Sequence, residues 1–102
     1  MRRVQTQRAR AFFRIVAGTE RSQAATMVLR PGERTGGADN VHAASDQWMY
    51  VVSGRGIATV DGRRVALDPG ALLLIEAGET HEIAADGEGD LVTVNVYAPA
   101  AY

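Results

Sequence analysis

Four side chains in this sequence could do chemistry together. Asn40, His42 and Gln47 sit in the stretch GGADNVHAASDQWMYVVSG (residues 36–54), and His81 sits in GETHEI. His42 and His81 are the chain's two histidines. Imidazole nitrogens and amide oxygens inside an apolar shell make a metal site, and they suit transition metals. The chain has no cysteine, so neither thiolate ligands nor disulfides are available and any metal would take nitrogen and oxygen donors. The set contains no carboxylate, which argues against Ca²⁺ and Mg²⁺. A dication here would be compensated by water, hydroxide or an anionic substrate. Taken singly, either histidine reads as a surface or structurally hydrogen-bonded residue. The chemistry requires that two distant segments meet.

The elements that must bring them together are short β runs punctuated by turns. Residues 11–16, 24–29, 47–52, 57–60, 63–67, 71–75, 81–84 and 91–97 are the strand candidates. Asp61-Gly62 between two such runs is a strong hairpin signal. No segment shows a clean 3.6-residue apolar period with caps, so no helix is expected. Many short strands at regular spacing predict an all-β sandwich or barrel. Alternation puts Gln47, Met49 and Val51 on one face of their strand and Trp48, Tyr50 and Val52 on the other. Both faces are apolar apart from Gln47. A small protein with such a sheet needs a cover for its second face, and the expected cover is a second copy of the chain, as a homodimer. The alternative cover is the N-terminal strand.

At 102 residues the chain is one domain, with residues 1–9 as a flexible basic arm. A formal net charge of -1 provides no broad field for nucleic acid or an anionic membrane. No apolar run reaches the ~20 residues of a membrane span. No signal-peptide core follows the N-terminus, and a cytoplasmic location is the default expectation. No nucleophile with a paired base appears, and no glycine stretch has phosphate-loop spacing. Trp48, Tyr50 and Tyr97 read as packing or interface residues. Glu82 and Asp46 should point away from the interior. Asn95 could line a pocket, but Val94 and Val96 flank it and leave the phase of its strand open.

With these residues in place the sequence resembles a small single-domain cupin, a double-stranded β-helix or jelly-roll barrel, of the mannose-6-phosphate isomerase-like subgroup. The resemblance spans most of residues 31–85. Gly70, Gly78 and His81 follow the family's second motif without gaps. Gly54 closes the first motif, which puts Gln47 at its acidic ligand position, His42 at its second histidine and Asn40 at its first. Asn40 replaces a histidine and Gln47 a glutamate, while Glu76 stands for a proline and Ala85 for an asparagine. The resemblance implies a divalent transition metal (Zn, Fe, Ni, Mn or Cu) on His42, Gln47 and His81, with Asn40 as a fourth ligand or hydrogen-bonding neighbour. It also implies a small polar organic ligand in the barrel and isomerase- or dioxygenase-like chemistry. The altered ligand positions leave a second expectation, a non-catalytic binding or sensor module with a degenerate metal site.

Overall fold

The structure, a computed structural model, describes residues 1–36 and 42–102. Eight strands and no helix make up the described chain, so the all-β expectation holds. They are β1 (Phe13–Gly18), β2 (Gln23–Leu29), β3 (Asp46–Ser53), β4 (Gly56–Val60), β5 (Arg63–Leu67), β6 (Leu72–Ile75), β7 (His81–Ala85) and β8 (Leu91–Ala98). All pairings are antiparallel, in a five-stranded sheet of order β1-β2-β8-β3-β6 and a three-stranded sheet of order β5-β4-β7. No helix among the described residues is long and apolar enough to cross a membrane.

The core forms where the inward stripes of the two sheets meet. Met27 and Leu29 of β2, Met49 and Val51 of β3, Ala58 of β4 and Ile83 and Ala85 of β7 are buried there, with Leu67, Ile75 and Leu91. The predicted β4–β5 hairpin forms with Val60 opposite Arg63, and Asp61 and Gly62 both take positive φ, at 47° and 78°. Two consecutive positive-φ residues match the right-handed twist of the flanking strands.

The outer face of the five-stranded sheet is covered in part. Thr26 and Val28 of β2 are buried on that face, and residues 5–11 of the N-terminal arm run beside Thr26. Arg2 also donates to the Gly18 carbonyl at 3.0 Å. β1 takes the sheet edge beside β2 rather than lying across it. Across β8, β3 and β6 the face stays open: Trp48, Tyr50, Val52, Leu72, Leu74 and Val96 are all exposed. They adjoin one another, since Trp48 lies opposite Leu74 and Val96, and Tyr50 opposite Leu72.

Gly54, after β3, tests how tightly the turns are built. A Cβ there would lie 2.1 Å from the Asp90 carbonyl oxygen, and its φ is +87°. Gly32 has a similar φ of +84° but open space around it. Both alanine variants suffer the backbone penalty of about 1–3 kcal/mol. Gly54→Ala should destabilise well beyond Gly32→Ala, because main chain must move as well. Urea titration of the two variants measures the difference, and equal midpoints would contradict this account.

Candidate functional site

His42 lies in the loop between β2 and β3, and His81 opens β7. Two hydrogen bonds join their surroundings: Gly78 N donates to the His42 carbonyl at 2.8 Å, and Ala77 N donates to Asp46 Oδ1 at 2.9 Å. The turn leading into His81 is thereby stitched to the loop carrying His42. Thr35 adds a third tie, donating its N–H to the Ile83 carbonyl at 2.8 Å and accepting the Ile83 N–H on its hydroxyl at 3.1 Å. The two imidazoles end 5.0 Å apart between ring centroids, inclined by 31°. The meeting of distant segments on which the chemistry depends is present.

Both rings line a cavity of about 190 Å³, and Gln47 reaches the same cavity from the inner face of β3. Phe12, Phe13, Met27 and Ile83 provide apolar wall, and Tyr97 and Tyr102 provide aromatic wall with a phenol at its end. The Tyr102 hydroxyl lies 3.4 Å from His42 Nε2. Tyr102 is held in place by Gln23, whose amide donates to the Tyr102 main-chain oxygen at 2.8 Å and accepts the Tyr102 N–H at 2.9 Å. No charged side chain is among the described lining residues. Glu82 and Asp46 point elsewhere, as expected: Glu82 meets Arg34 at 3.3 Å, and Asp46 caps the turn at Ala77.

The donor set can be tested against a metal. Gln47 Oε1 and His81 Nδ1 are buried and have no hydrogen-bond partner among the described residues. Leaving such an atom unmet costs about 1–3 kcal/mol. A carbonyl oxygen and a neutral imidazole nitrogen can each offer a lone pair, so the residues fit a transition metal. Burial, and after it the neighbouring His81 ring, holds the His42 pKa below the ordinary 6.5. Burial also lowers that of His81; the Glu79 main chain pulls the other way without satisfying Nδ1. Both rings are therefore neutral at pH 7, the form that ligates. Burial raises the pKa of both Tyr97 and Tyr102, which keeps their hydroxyls protonated as hydrogen-bond donors. Among the described residues no three His, Cys, Asp or Glu side chains gather, so the set is two imidazoles and an amide without an anion. Asn40 lies outside the described residues.

Three features of the site escaped the sequence reading. Tyr97, read as a packing or interface residue, takes the packing role, and what the sequence did not show is that it walls the cavity. Tyr102 and Phe13 pack with it, at 5.2 Å and 6.4 Å between centroids. Asn95 faces inward, wholly buried, and accepts the Gln47 amide N–H at 3.0 Å. The alternation Thr93-Asn95-Tyr97 against Val92-Val94-Val96 was visible, but the polar stripe faces in and the valine stripe faces out.

A family model described as a cupin domain matches residues 25–97, and the chain belongs to the cupin family. A Bacillus halodurans protein is similar in structure at a TM-score of 0.88 and 28% identity, over 95% of this chain and 76% of that one. KdgF from a Halomonas species is similar at 0.77 and 26% identity, over 86% and 77%. A predicted oxalate decarboxylase from Thermotoga maritima is similar at 0.70 and 27% identity, over 76% and 66%. No protein of curated function matches the sequence.

The depressed imidazole pKa values give metal-free protein a signed pH dependence. The unfolded chain takes up histidine protons near pH 6.5, while the folded chain takes them up only at lower pH. Stability is therefore full above that value and falls as pH drops below it. Thermal melts from pH 8 to pH 5 should show this decline, and it should flatten in the His42→Gln/His81→Gln double variant. An equal decline in that variant would assign it to other groups.

Proposed function

We propose that this member of the cupin family is a small metal-binding protein that takes a small polar organic molecule into its barrel. The observation that carries the reading is the pair of neutral imidazoles 5.0 Å apart, lining one cavity with a buried amide oxygen that has no partner among the described residues. His42, Gln47 and His81 would hold the metal, with Asn40 as the fourth candidate ligand. The metal, one of Zn, Fe, Ni, Mn or Cu, would supply Lewis acidity toward a carbonyl or enolate oxygen. The rest follows from the chain's own side chains. The cavity of about 190 Å³ lies below the ~300 Å³ lower end of drug-sized pockets, so the ligand is small. Phe12, Phe13, Met27 and Ile83 would exclude water around it. The Tyr97 and Tyr102 phenols, kept protonated by burial, would donate hydrogen bonds to its oxygens. With no arginine among the described lining residues, an anionic group on the ligand would find its counter-charge at the metal.

A second reading is favoured by one observation, the lack of any carboxylate gathered with the two imidazoles among the described residues. On that reading the protein is a non-catalytic binding or sensor module. Metal analysis after loading with each of the five ions separates the two. About one ion per chain is expected, lost in His42→Ala and in His81→Ala. No retained ion in the wild type would leave the binding module.

The same proposal includes a homodimer through the open face of the five-stranded sheet. Its six exposed residues, Trp48, Tyr50, Val52, Leu72, Leu74 and Val96, carry no charge. A two-fold axis sets a patch against its own copy, so an uncharged apolar patch meets itself without repulsion. Light scattering should give twice the chain mass at micromolar concentration, and Leu72→Glu should give the chain mass with the fold intact. A wild-type monomer would remove the dimer.

A further inference from the structure

The inner face of β8 carries hydrogen-bonding side chains where a core would ordinarily place apolar ones. Thr93 and Asn95 are both wholly buried. The Thr93 hydroxyl donates to the Met27 carbonyl at 3.1 Å. Asn95 Nδ2 then donates to Thr93 Oγ1 at 3.0 Å. Gln47 Nε2 in turn donates to Asn95 Oδ1 at 3.0 Å. The direction of this chain is set at its far end, because a main-chain carbonyl can only accept. The reversed arrangement would have Thr93 donating to Asn95 and Asn95 donating to Gln47. It would form two bonds instead of three, set the Thr93 lone pairs against the Met27 oxygen and bury the Gln47 N–H groups without a partner. Anchoring at Met27 therefore decides which end of the Gln47 amide is committed and which is left over.

We propose that Thr93 and Asn95 are positioning residues that hold the Gln47 amide with its oxygen, and not its nitrogen, presented to the His42/His81 cavity. An amide free to flip would offer either a lone pair or N–H groups; this one commits its nitrogen to Asn95 and leaves its oxygen without a partner among the described residues. The Gln47 position in the cavity thereby favours an electron-pair acceptor, a metal ion or a ligand hydrogen-bond donor. The metal half of this inference rests on the function proposed above. The orientation half does not, since it holds in metal-free protein.

The test has two readouts on the full chain. In metal-free protein, NMR hydrogen exchange of the Gln47 side-chain amide reports the Asn95 bond. In the same samples, titration with Zn²⁺ alone reports affinity. Asn95→Leu and Thr93→Val keep shape but remove the relay, whereas Asn95→Asp and Thr93→Ser retain an acceptor for Gln47 and a hydroxyl at 93. The expected result is at least a tenfold loss of Gln47 amide protection in the first pair, with Zn²⁺ affinity down about 10- to 100-fold, the usual effect of losing a ligand's supporting hydrogen bond. The second pair should restore both. Unchanged Gln47 protection in Asn95→Leu or Thr93→Val would overturn the relay, as would unchanged affinity in variants that had lost protection. If wild type binds no Zn²⁺ while the exchange pattern holds, the metal reading falls and the orientation stands. Should Asn95→Leu fail to fold, Thr93→Val decides by the same two readouts.

Discussion

The site depends on the seam between the segment at residues 42–46, the end of the loop and the first residue of β3, and the turn at residues 76–79. Backbone hydrogen bonds within a sheet hold strands together, but His42 is in no strand. What brings it to His81 is the Gly78 N–H on its own carbonyl and the Asp46 carboxylate on the Ala77 N–H. A carboxylate–amide bond is stronger than a neutral one, and here it fixes a loop that carries half of the imidazole pair. Asp46 thus serves the site from outside, pointing away from the cavity while holding its edge.

The interior is a compromise between stability and specificity. A barrel this small has few inward positions, and several of them on β3 and β8 are polar. Apolar residues at Gln47, Thr93 and Asn95 would bury area at no desolvation cost, whereas polar ones must satisfy one another or be left unmet. Thr93, Asn95 and the Gln47 nitrogen satisfy one another in sequence, and the buried side-chain atoms left without a partner among the described residues, Gln47 Oε1 and His81 Nδ1, belong to cavity-lining residues. The polar stripe also explains the outer face. With Thr93 and Asn95 turned inward, alternation turns the β8 valines outward, where Val96 joins Trp48 and Leu74 in the exposed patch.

Membership of the cupin family accounts for the barrel. It does not choose a reaction, because function resides in the site rather than the fold. The distinguishing features of this chain are local. No charged side chain lines the cavity among the described residues, the cavity is walled by Tyr97 and Tyr102, and Gln23 pins the segment that carries Tyr102.

Strand existence and the two faces of β3 were legible from residue order alone, because alternation with a period of two and turn residues such as Asp61-Gly62 act locally. So was the meeting of His42 with His81, through glycine and histidine spacing that resembles the family's motifs. The phase of β8 was not legible. Its apolar stripe would belong inside by hydrophobicity, and only the register against β2 and β3, with Asn95 opposite Ala25 and Met49, put the polar stripe there. The place of Tyr102 was also beyond local reading, since it rests on hydrogen bonds to Gln23, far away along the chain. Short-range order chose the elements; long-range pairing chose which side chains share the cavity.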